Sequence, residues 1–330
     1  MRIAVHGIGL VSGLDTGHSD LRSIVDHESP GFPPGEPIPG NCKNKYVYRS
    51  DSSNLARYVS KKRLRRVDHY SRMALLGAGR ALEDAGQNQF SRDTTGVIVA
   101  SGHGALKTTF AFLDSYIEKG DKLSVPIHFS NSLHNAAASY ISMIYGITGP
   151  CLTVSQFDMS FFSALITASV WIRQGVVASV LVGCTDEFSD VTGYCIHRFS
   201  EEKGGNRDKG YSAGEGAAFF LLTGEGEPDG SAYGYFDEIC MENSSDREID
   251  VPEGSLVIFS SGTFDRCARD RVNGFIEKNG ADVFVHDVAN FPTDSGFDAA
   301  FAIREKQAER LCFVKPAENG GYGKIVFDKN

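Results

Sequence analysis

The sequence predicts an α/β protein whose sheets are largely parallel and covered on both faces. Strand-like and helix-like segments alternate along the whole chain of 330 residues. The strand-like segments are short, nearly continuous apolar runs, which are typical of strands that are buried on both faces. No low-complexity segment or obvious linker divides the chain, so we expect a single globular unit.

The first part of the chain supplies most of these segments. Apolar and small residues at helical spacing, followed by a glycine, predict a helix over 68–86. Further helices are expected over 130–149 and from about Met159 onward. Buried strands are predicted at 2–11, 95–102, 152–155, 178–187 and within 210–226. The stretch 28–45 is rich in proline and glycine and is expected to be an irregular surface loop.

The last part of the chain repeats the alternation. Residues 254–289 predict a strand, a helix and a second strand, with "SSGT" as the first turn. A helix is then expected over 295–311, and a closing strand within 320–330.

Composition restricts the classes of partner. Hydrophobic residues make up 41% of the chain and charged residues 23%, and the net charge is −9. An acidic surface disfavours nucleic acid and anionic membranes as the main partner. One basic run, "KKRLRR" at Lys61–Arg66, has two interpretations. It is either a solvated start of a helix or a docking surface for an acidic or phosphorylated carrier.

The cysteine pattern gives no indication of a metal site. Seven cysteines are dispersed along the chain without a CxxC pair or a cluster at zinc-ligand spacing. They are expected to be reduced thiols of a cytoplasmic protein. The apolar run at the N-terminus is too short for a signal peptide, and no run reaches the roughly 18 residues that a membrane span needs.

The glycine-rich turns do not indicate a nucleotide cofactor. "GHGALK" and "GIGLVSG" lack the lysine and hydroxyl residue of a P-loop, and neither forms a GxGxxG followed by an acidic residue. Ser212 is followed by a predicted strand. A nucleophile elbow of a serine hydrolase is followed by a helix, so Ser212 is not expected to be a catalytic nucleophile. We therefore predict no cofactor and no metal. Glu215, in the "GEGA" of the same segment, is expected to hold a buried turn through backbone N–H groups.

Six segments, in order, resemble the β-ketoacyl synthases of the thiolase superfamily. They are "IAVHGIGLVSGL", "RVDHYSRMALLGAGRALEDAG", "TGVIVASGHGALKTT", "MIYGITGPCLTVSQFDMSFFSAL", "VLVGCTDEFSDVTGYCIHRFS" and "RDKGYSAGEGAAFFLL". The resemblance implies a thiolase-like fold, layered α-β-α-β-α, with two similar halves. It covers residues 1–225, so residues 226–330 are expected to form a shortened C-terminal half packed into the same unit.

The resemblance places Asp158 where the family carries its catalytic cysteine. Counting from Gly149-Pro150, "GPCLTVSQFD" puts this aspartate on the corner between a strand and a helix. Condensation needs a thiolate that forms a thioester, and a carboxylate is a poor nucleophile toward thioesters. The hypotheses for Asp158 are a helix N-cap, a polar residue that shapes a partner's pocket, or a catalytic group.

Other residues of the family's site have weaker counterparts. The resemblance implies a catalytic role for His286, although Asp287-Val288 replaces the Gly-Thr that follows the histidine in the family, and no second histidine follows. Lys315 resembles the family's lysine. The residues expected to line a substrate pocket are Gln156, Phe157, Phe161, His134 and Tyr322.

The resemblance implies a member that has lost its nucleophile, similar to chain-length factors. Such a protein would act in fatty-acid-like or polyketide-like synthesis on acyl carrier protein, paired with an active β-ketoacyl synthase or with itself. We expect the dimer axis near Ser130–Tyr145 and the strand at 152–155. Two alternatives stay open, namely altered chemistry (malonyl decarboxylation or acyl transfer) and a non-catalytic scaffold that binds the carrier.

Overall fold

The computed structural model describes residues 1–13, 36–37, 45–86, 90–202, 211–226, 232–243, 249–260, 283–286, 291–305, 307–317 and 320–329. The helix predicted after "SSGT" and most of the loop predicted at 28–45 lie outside these residues. Among the described residues, no helix combines the length and the apolar character needed to cross a membrane.

Thirteen strands lie in the described part of the chain. They are β1 (Ile3–Ser12), β2 (Glu36–Pro37), β3 (Lys45–Tyr48), β4 (Thr95–Ala100), β5 (Cys151–Val154), β6 (Ser179–Asp186), β7 (Tyr211–Gly214), β8 (Gly216–Gly224), β9 (Gly234–Glu242), β10 (Leu256–Ser260), β11 (Val283–His286), β12 (Arg310–Pro316) and β13 (Tyr322–Lys329).

Eight α-helices accompany them among the described residues. They are α1 (Lys61–Leu64), α2 (His69–Ala85), α3 (Leu106–Lys119), α4 (Pro126–Ser132), α5 (Ala136–Tyr145), α6 (Ser160–Arg173), α7 (Asp190–Glu202) and α8 (Asp294–Glu305). The helix predicted over 130–149 is shorter, because α4 ends at Ser132 and a new helix begins at Ala136. The helix predicted over 295–311 ends at Glu305, and the residues from Arg310 form a strand.

Ten strands form one mixed sheet in the order β11-β10-β12-β13-β9-β1-β8-β6-β4-β5. The prediction of largely parallel sheets is wrong, because β8 and β13 each run antiparallel to both of their neighbours. The error has a physical reason. Strand β8 is buried along nearly its whole length, and a strand covered on both faces has the same continuous apolar sequence in either direction.

The sheet consists of two halves with the same arrangement. The order β1-β8-β6-β4-β5 corresponds to β9-β13-β12-β10-β11, with the same parallel and antiparallel pairs at matching places. Helix α6 follows β5 in the first half, and helix α8 follows β11 in the second. The two similar halves implied by the resemblance are therefore present in the strand order.

The two equivalent helices lie inside the molecule. Helix α6 contacts β4, β5 and β6 of the first half and also β9 and β13 of the second, and α8 likewise contacts β8 and β12. Along β4, Ile98 and Ala100 belong to this central core, whereas Val97 and Val99 belong to a second core built around α2 and α5. This alternation gives the layered arrangement, because each face of the strand is covered by helices.

Two acidic residues in succession fasten the start of α3 to the end of β6. The Asp186 carboxylate accepts hydrogen bonds from the backbone N–H groups of Gly102 and His103, at 2.9 and 3.1 Å. The Glu187 carboxylate accepts one from the backbone N–H of Lys107, at 2.8 Å. Both acidic side chains are buried. The helical hairpin of α3 and α4 is therefore attached to the sheet through carboxylates.

The Glu187 carboxyl titrates near neutrality. Its pKa is raised from 4.5 to about 7, mainly by burial and to a smaller extent by the carboxylates of Asp68 and Glu215. The hydrogen bond from Lys107 and the charge of His69 act in the opposite direction. Because the folded carboxyl holds its proton more tightly than the unfolded one, this group stabilises the fold below pH 4.5 and the benefit is lost as the pH rises through 7.

We expect Glu187→Gln to remove this pH dependence. The amide oxygen can still accept the Lys107 N–H, and it carries no charge in the buried cluster. Between pH 5 and pH 8, the wild-type free energy of unfolding should fall by about 1–3 kcal/mol relative to that of the variant. Urea unfolding of both proteins at pH 5, 6.5 and 8 measures the difference. If the free energies of unfolding of the two proteins change with pH in the same way over this range, the raised pKa of Glu187 would be contradicted.

Candidate functional site

The predicted corner between strand and helix is present. Strand β5 ends at Val154, a short 3-10 turn covers Phe157–Met159, and α6 begins at Ser160. The Ser160 hydroxyl organises the turn, because it accepts the Gln156 N–H at 2.7 Å and donates to a backbone carbonyl. Phe157 has φ of 51°, in the left-handed region that large side chains rarely occupy. The backbone at the corner is therefore strained and held by local hydrogen bonds.

Asp158 lies buried in this corner, with 5% of its surface exposed. The N-cap position of α6 is Met159, so the interpretation of Asp158 as the N-cap is wrong by one residue. Its carboxylate instead faces the buried ammonium of Lys315, with 3.9 Å between Oδ1 and Nζ. The position at the beginning of α6 also favours a negative charge, because the helix dipole is positive there.

Lys315 joins the two halves of the molecule. Its side chain is fully buried, and Nζ donates to Asp294 Oδ1 at 2.5 Å and to the Pro292 carbonyl at 2.9 Å. Asp294 is the first residue of α8, the helix equivalent to α6 in the second half. Burial lowers the pKa of Lys315, but the charges of Asp294 and Asp158 outweigh this effect, and the net shift is upward. The lysine is therefore a permanent cation between the starts of the two central helices.

A second buried carboxylate reinforces the same junction. Asp186 accepts hydrogen bonds from the Ser101 hydroxyl at 2.8 Å and from the Thr293 hydroxyl at 2.7 Å. Ser101 follows β4 in the first half, whereas Thr293 precedes α8 in the second. The Asp298 carboxylate, also on α8, accepts a hydrogen bond from Ser260 at the end of β10. Together these contacts place hydrogen-bonded polar groups around the corner.

The cysteines near the corner are not activated. Cys184 is fully buried beside α8, and its thiol donates to the Thr293 carbonyl at 3.2 Å. Burial raises its pKa to about 12. Cys151 is the first residue of β5, and burial also raises the pKa of its thiol. Neither group is a thiolate at neutral pH, and no group of acidic, histidine or cysteine side chains suited to a metal ion occurs among the described residues.

Two of the expected pocket residues lie beside Asp158 in the corner. Gln156 precedes the 3-10 turn, and its side-chain oxygen accepts a hydrogen bond from Ser163 on α6. Phe157 is 41% exposed and contacts the ring of His103 edge-on, with 5.0 Å between centroids. These two residues therefore present polar and aromatic groups at the surface next to the buried carboxylate.

The other expected residues are dispersed. Phe161 is fully buried and packs against Phe220 in the central core. His134 is exposed between α4 and α5, with its ring against Gly104. Tyr322 is buried in a separate apolar cluster on the other face of the second half-sheet. His286 is the last residue of β11, and its side chain lies outside the described residues.

The sequence analysis did not identify Asp186 and Asp294 as residues of the site, and it named Lys315 without its buried ion pairs. Asp186 follows a buried apolar strand, and Asp294 begins a helix after "FPT", a position where acidic residues are common. Lys315 lies inside an apolar strand, and a lysine there is normally paired. The prediction for Glu215 is confirmed, because its carboxylate accepts the backbone N–H groups of Ser50 and Phe188 at 2.9 and 3.0 Å.

Comparison with known proteins identifies one family of similar sequence. The β-ketoacyl synthase N-terminal domain matches residues 9–227. The 3-oxoacyl-[acyl-carrier-protein] synthase 2 of Vibrio cholerae is 24% identical over 230 residues, which cover 69% of this chain and 51% of the relative. The corresponding protein of Rhizobium meliloti is 26% identical over 202 residues, covering 56% and 47%. The chain thus spans about half the length of these curated relatives.

Solved structures agree over the whole chain. A β-ketoacyl synthase from Burkholderia phymatum superposes with a TM-score of 0.77 at 14% identity, covering 100% of this chain and 99% of the other. The ishigamide ketosynthase/chain length factor gives 0.75 at 15% identity with the same coverage. A type II polyketide ketosynthase in complex with its acyl-carrier protein gives 0.76 at 14% identity, again with that coverage. The fold is therefore thiolase-like, and the chain, which matches the family domain over residues 9–227, belongs to the β-ketoacyl synthase family.

Proposed function

We propose that this chain is a non-catalytic subunit of the chain-length-factor type, which pairs with a cysteine-bearing β-ketoacyl synthase in fatty-acid-like or polyketide-like synthesis. The observation that carries the proposal is the ion pair at the corner. Where the family places a nucleophilic sulfur, this chain has the Asp158 carboxylate buried against the Lys315 ammonium.

The chemistry of the pair supports the loss of acyl transfer. A synthase needs a thiolate that attacks a thioester and leaves again in the next step. A carboxylate that attacked would form a mixed anhydride, which is far less stable than a thioester in water. The charge of Lys315 further stabilises the Asp158 carboxylate and so weakens it as a nucleophile.

An exposed apolar face supports the pairing. Strand β5 is an edge of the ten-stranded sheet, and its residues are only partly covered. Helix α5, which contacts β5, presents Met143 to solvent at 62% exposure, and Leu152 in β5 is itself 38% exposed. Open strand edges and clustered apolar side chains mark surfaces that bind another protein. We expect the interface to include Ser130–Tyr145 and 152–155, because these segments contain α5 and β5.

The basic run supports acyl carrier protein as a second partner. Lys61, Lys62, Arg65 and Arg66 are exposed, and none forms an ion pair with another described residue. Arg63 differs from these four residues, because its guanidinium donates hydrogen bonds to the backbone carbonyls of Met143 and Ile144 at the end of α5. A localised cationic surface on a chain of net charge −9 suits an acidic carrier.

Charge on the edge strand should disrupt pairing. We expect Leu152→Asp combined with Met143→Asp to prevent co-purification with a cysteine-bearing β-ketoacyl synthase of the same host, because both side chains would be buried at the interface without a partner charge. Val176→Asp is the control for an added surface charge, since Val176 is 52% exposed in the turn after α6. Co-expression followed by light scattering measures the assembly. A stable homodimer of the wild-type chain in the absence of synthase would contradict the heterodimer.

The corner itself can be tested by covalent labelling. Wild-type protein should gain no mass at the corner when it is incubated with a chloroacetyl analogue of an acyl carrier substrate. Asp158→Cys should gain one adduct, because a thiol next to the Lys315 ammonium has a lowered pKa. Cys184→Ser in the same background is the control for labelling of the neighbouring buried thiol. Intact-protein and peptide mass spectrometry give the readout, and an adduct on wild-type Asp158 would overturn the non-catalytic assignment.

A further inference from the structure

The helical hairpin of α3 and α4 has few buried contacts with the rest of the molecule. All 14 residues of α3 are described, and Ser115 alone among them is buried. In α4 the buried residue is Asn131, whose side chain donates to the Arg66 carbonyl at 2.7 Å. Segments with little buried surface open at a low free energy. The hydrogen bond from the Lys107 backbone N–H to the Glu187 carboxyl group, at 2.8 Å, therefore matters for holding the start of α3 in place.

Glu187 belongs to a buried cluster of ionisable side chains. The Glu215 carboxylate accepts the Phe188 backbone N–H at 3.0 Å and lies 2.8 Å from Nε2 of His69. Phe188 follows Glu187 in the chain, and His69 follows Asp68. These contacts bring Asp68 and Glu187 into one cluster with Glu215, and the charges of Asp68, Glu215 and His69 all act on Glu187. Three carboxyl groups and one imidazole thus share a small buried volume.

Four further titratable or charged groups lie close to the cluster. Asp186 precedes Glu187 at the end of β6, and its carboxylate accepts backbone N–H and hydroxyl donors. Tyr70 on α2 is fully buried, and burial raises the pKa of its hydroxyl. Lys107 is exposed, and Arg49 donates to the backbone carbonyl after Glu187 at 3.3 Å. Among the described residues, none of these cations forms an ion pair with Glu187.

We propose that Glu187 is a proton-sensitive latch for the hairpin of α3 and α4. With its proton, the neutral carboxyl group accepts the Lys107 N–H and adds no charge to the cluster. Without the proton, it is a buried carboxylate beside Asp68 and Glu215, and burial and like charges both destabilise that state. Opening of the hairpin lets water reach the carboxylate and relieves the repulsion.

The latch works in the neutral pH range. The folded Glu187 carboxyl has a pKa of about 7, compared with 4.5 for the free side chain. Its proton therefore stabilises the closed hairpin in acid, and this contribution is lost as the pH rises through 7. Linkage between these two pKa values makes the equilibrium constant for opening about ten times larger at pH 8 than at pH 6.

Hydrogen–deuterium exchange of the intact chain tests the latch. After correction for intrinsic exchange rates, protection of the amides at 106–112 should fall about tenfold between pH 6 and pH 8 in the wild type. In Glu187→Gln the protection should change less than twofold, because the side-chain amide accepts the same N–H and does not titrate. Glu118→Gln is the matched control, since it removes an exposed carboxylate from the same helix and should keep the wild-type pH dependence.

A second variant tests the repulsion within the cluster. Asp68→Asn removes one charge, and asparagine is as favourable as aspartate at the N-cap of α2. The midpoint of the pH dependence should therefore move to a lower pH, and an unchanged midpoint contradicts the repulsion.

Three results would overturn the latch. They are constant wild-type protection from pH 6 to pH 8, a fall that persists in Glu187→Gln, and exchange at 106–112 that is as slow as that of the buried amides of β6. In the last case the hairpin would open only when the whole molecule unfolds. Because the measurement needs one chain and no partner, its outcome is independent of the pairing experiment.

Discussion

The buried ammonium of Lys315 between two carboxylates is the interaction on which the centre of this molecule depends. Nζ lies 2.5 Å from Asp294 and 3.9 Å from Asp158, and these residues stand at the starts of two equivalent helices. A buried charge is costly unless it is paired, and removal of one partner leaves the other uncompensated. The pairing therefore fixes both helices, and with them both halves of the sheet, in one relative position.

The duplicated architecture explains why the charges collect at this place. Helices α6 and α8 form the inner layer, and each begins after the last parallel strand of its half. Their positive ends favour carboxylates, which is why Asp158 and Asp294 can be buried there at all. A cation between them then limits the repulsion of the two carboxylates. The Asp186 carboxylate adds hydrogen bonds between the same halves, since it accepts from the hydroxyls of Ser101 and Thr293.

The backbone of the corner and the side chain that it presents are separate features of this molecule. The strained turn at Phe157 and the buried corner are retained, as a nucleophile would require, but the side chain presented there is held in an ion pair. A fold alone does not establish an activity, because activity depends on the groups at the site. In this chain the start of α6 and the Lys315 ammonium stabilise a carboxylate at the corner, and β5 is an edge of the ten-stranded sheet.

The sequence by itself determined the α/β class, the helix at 69–85, the buried strands and the corner that carries Asp158, because these features depend on local periodicity and on short motifs. It also indicated that the Glu215 carboxylate accepts backbone N–H groups, although only the structure shows that these belong to the distant Ser50 and Phe188. Only the tertiary structure decided the directions of β8 and β13, the helical hairpin of α3 and α4, and the meeting of Asp158 with Lys315. Those two residues are far apart in the sequence, and no local pattern records which distant charges meet when two similar halves pack together.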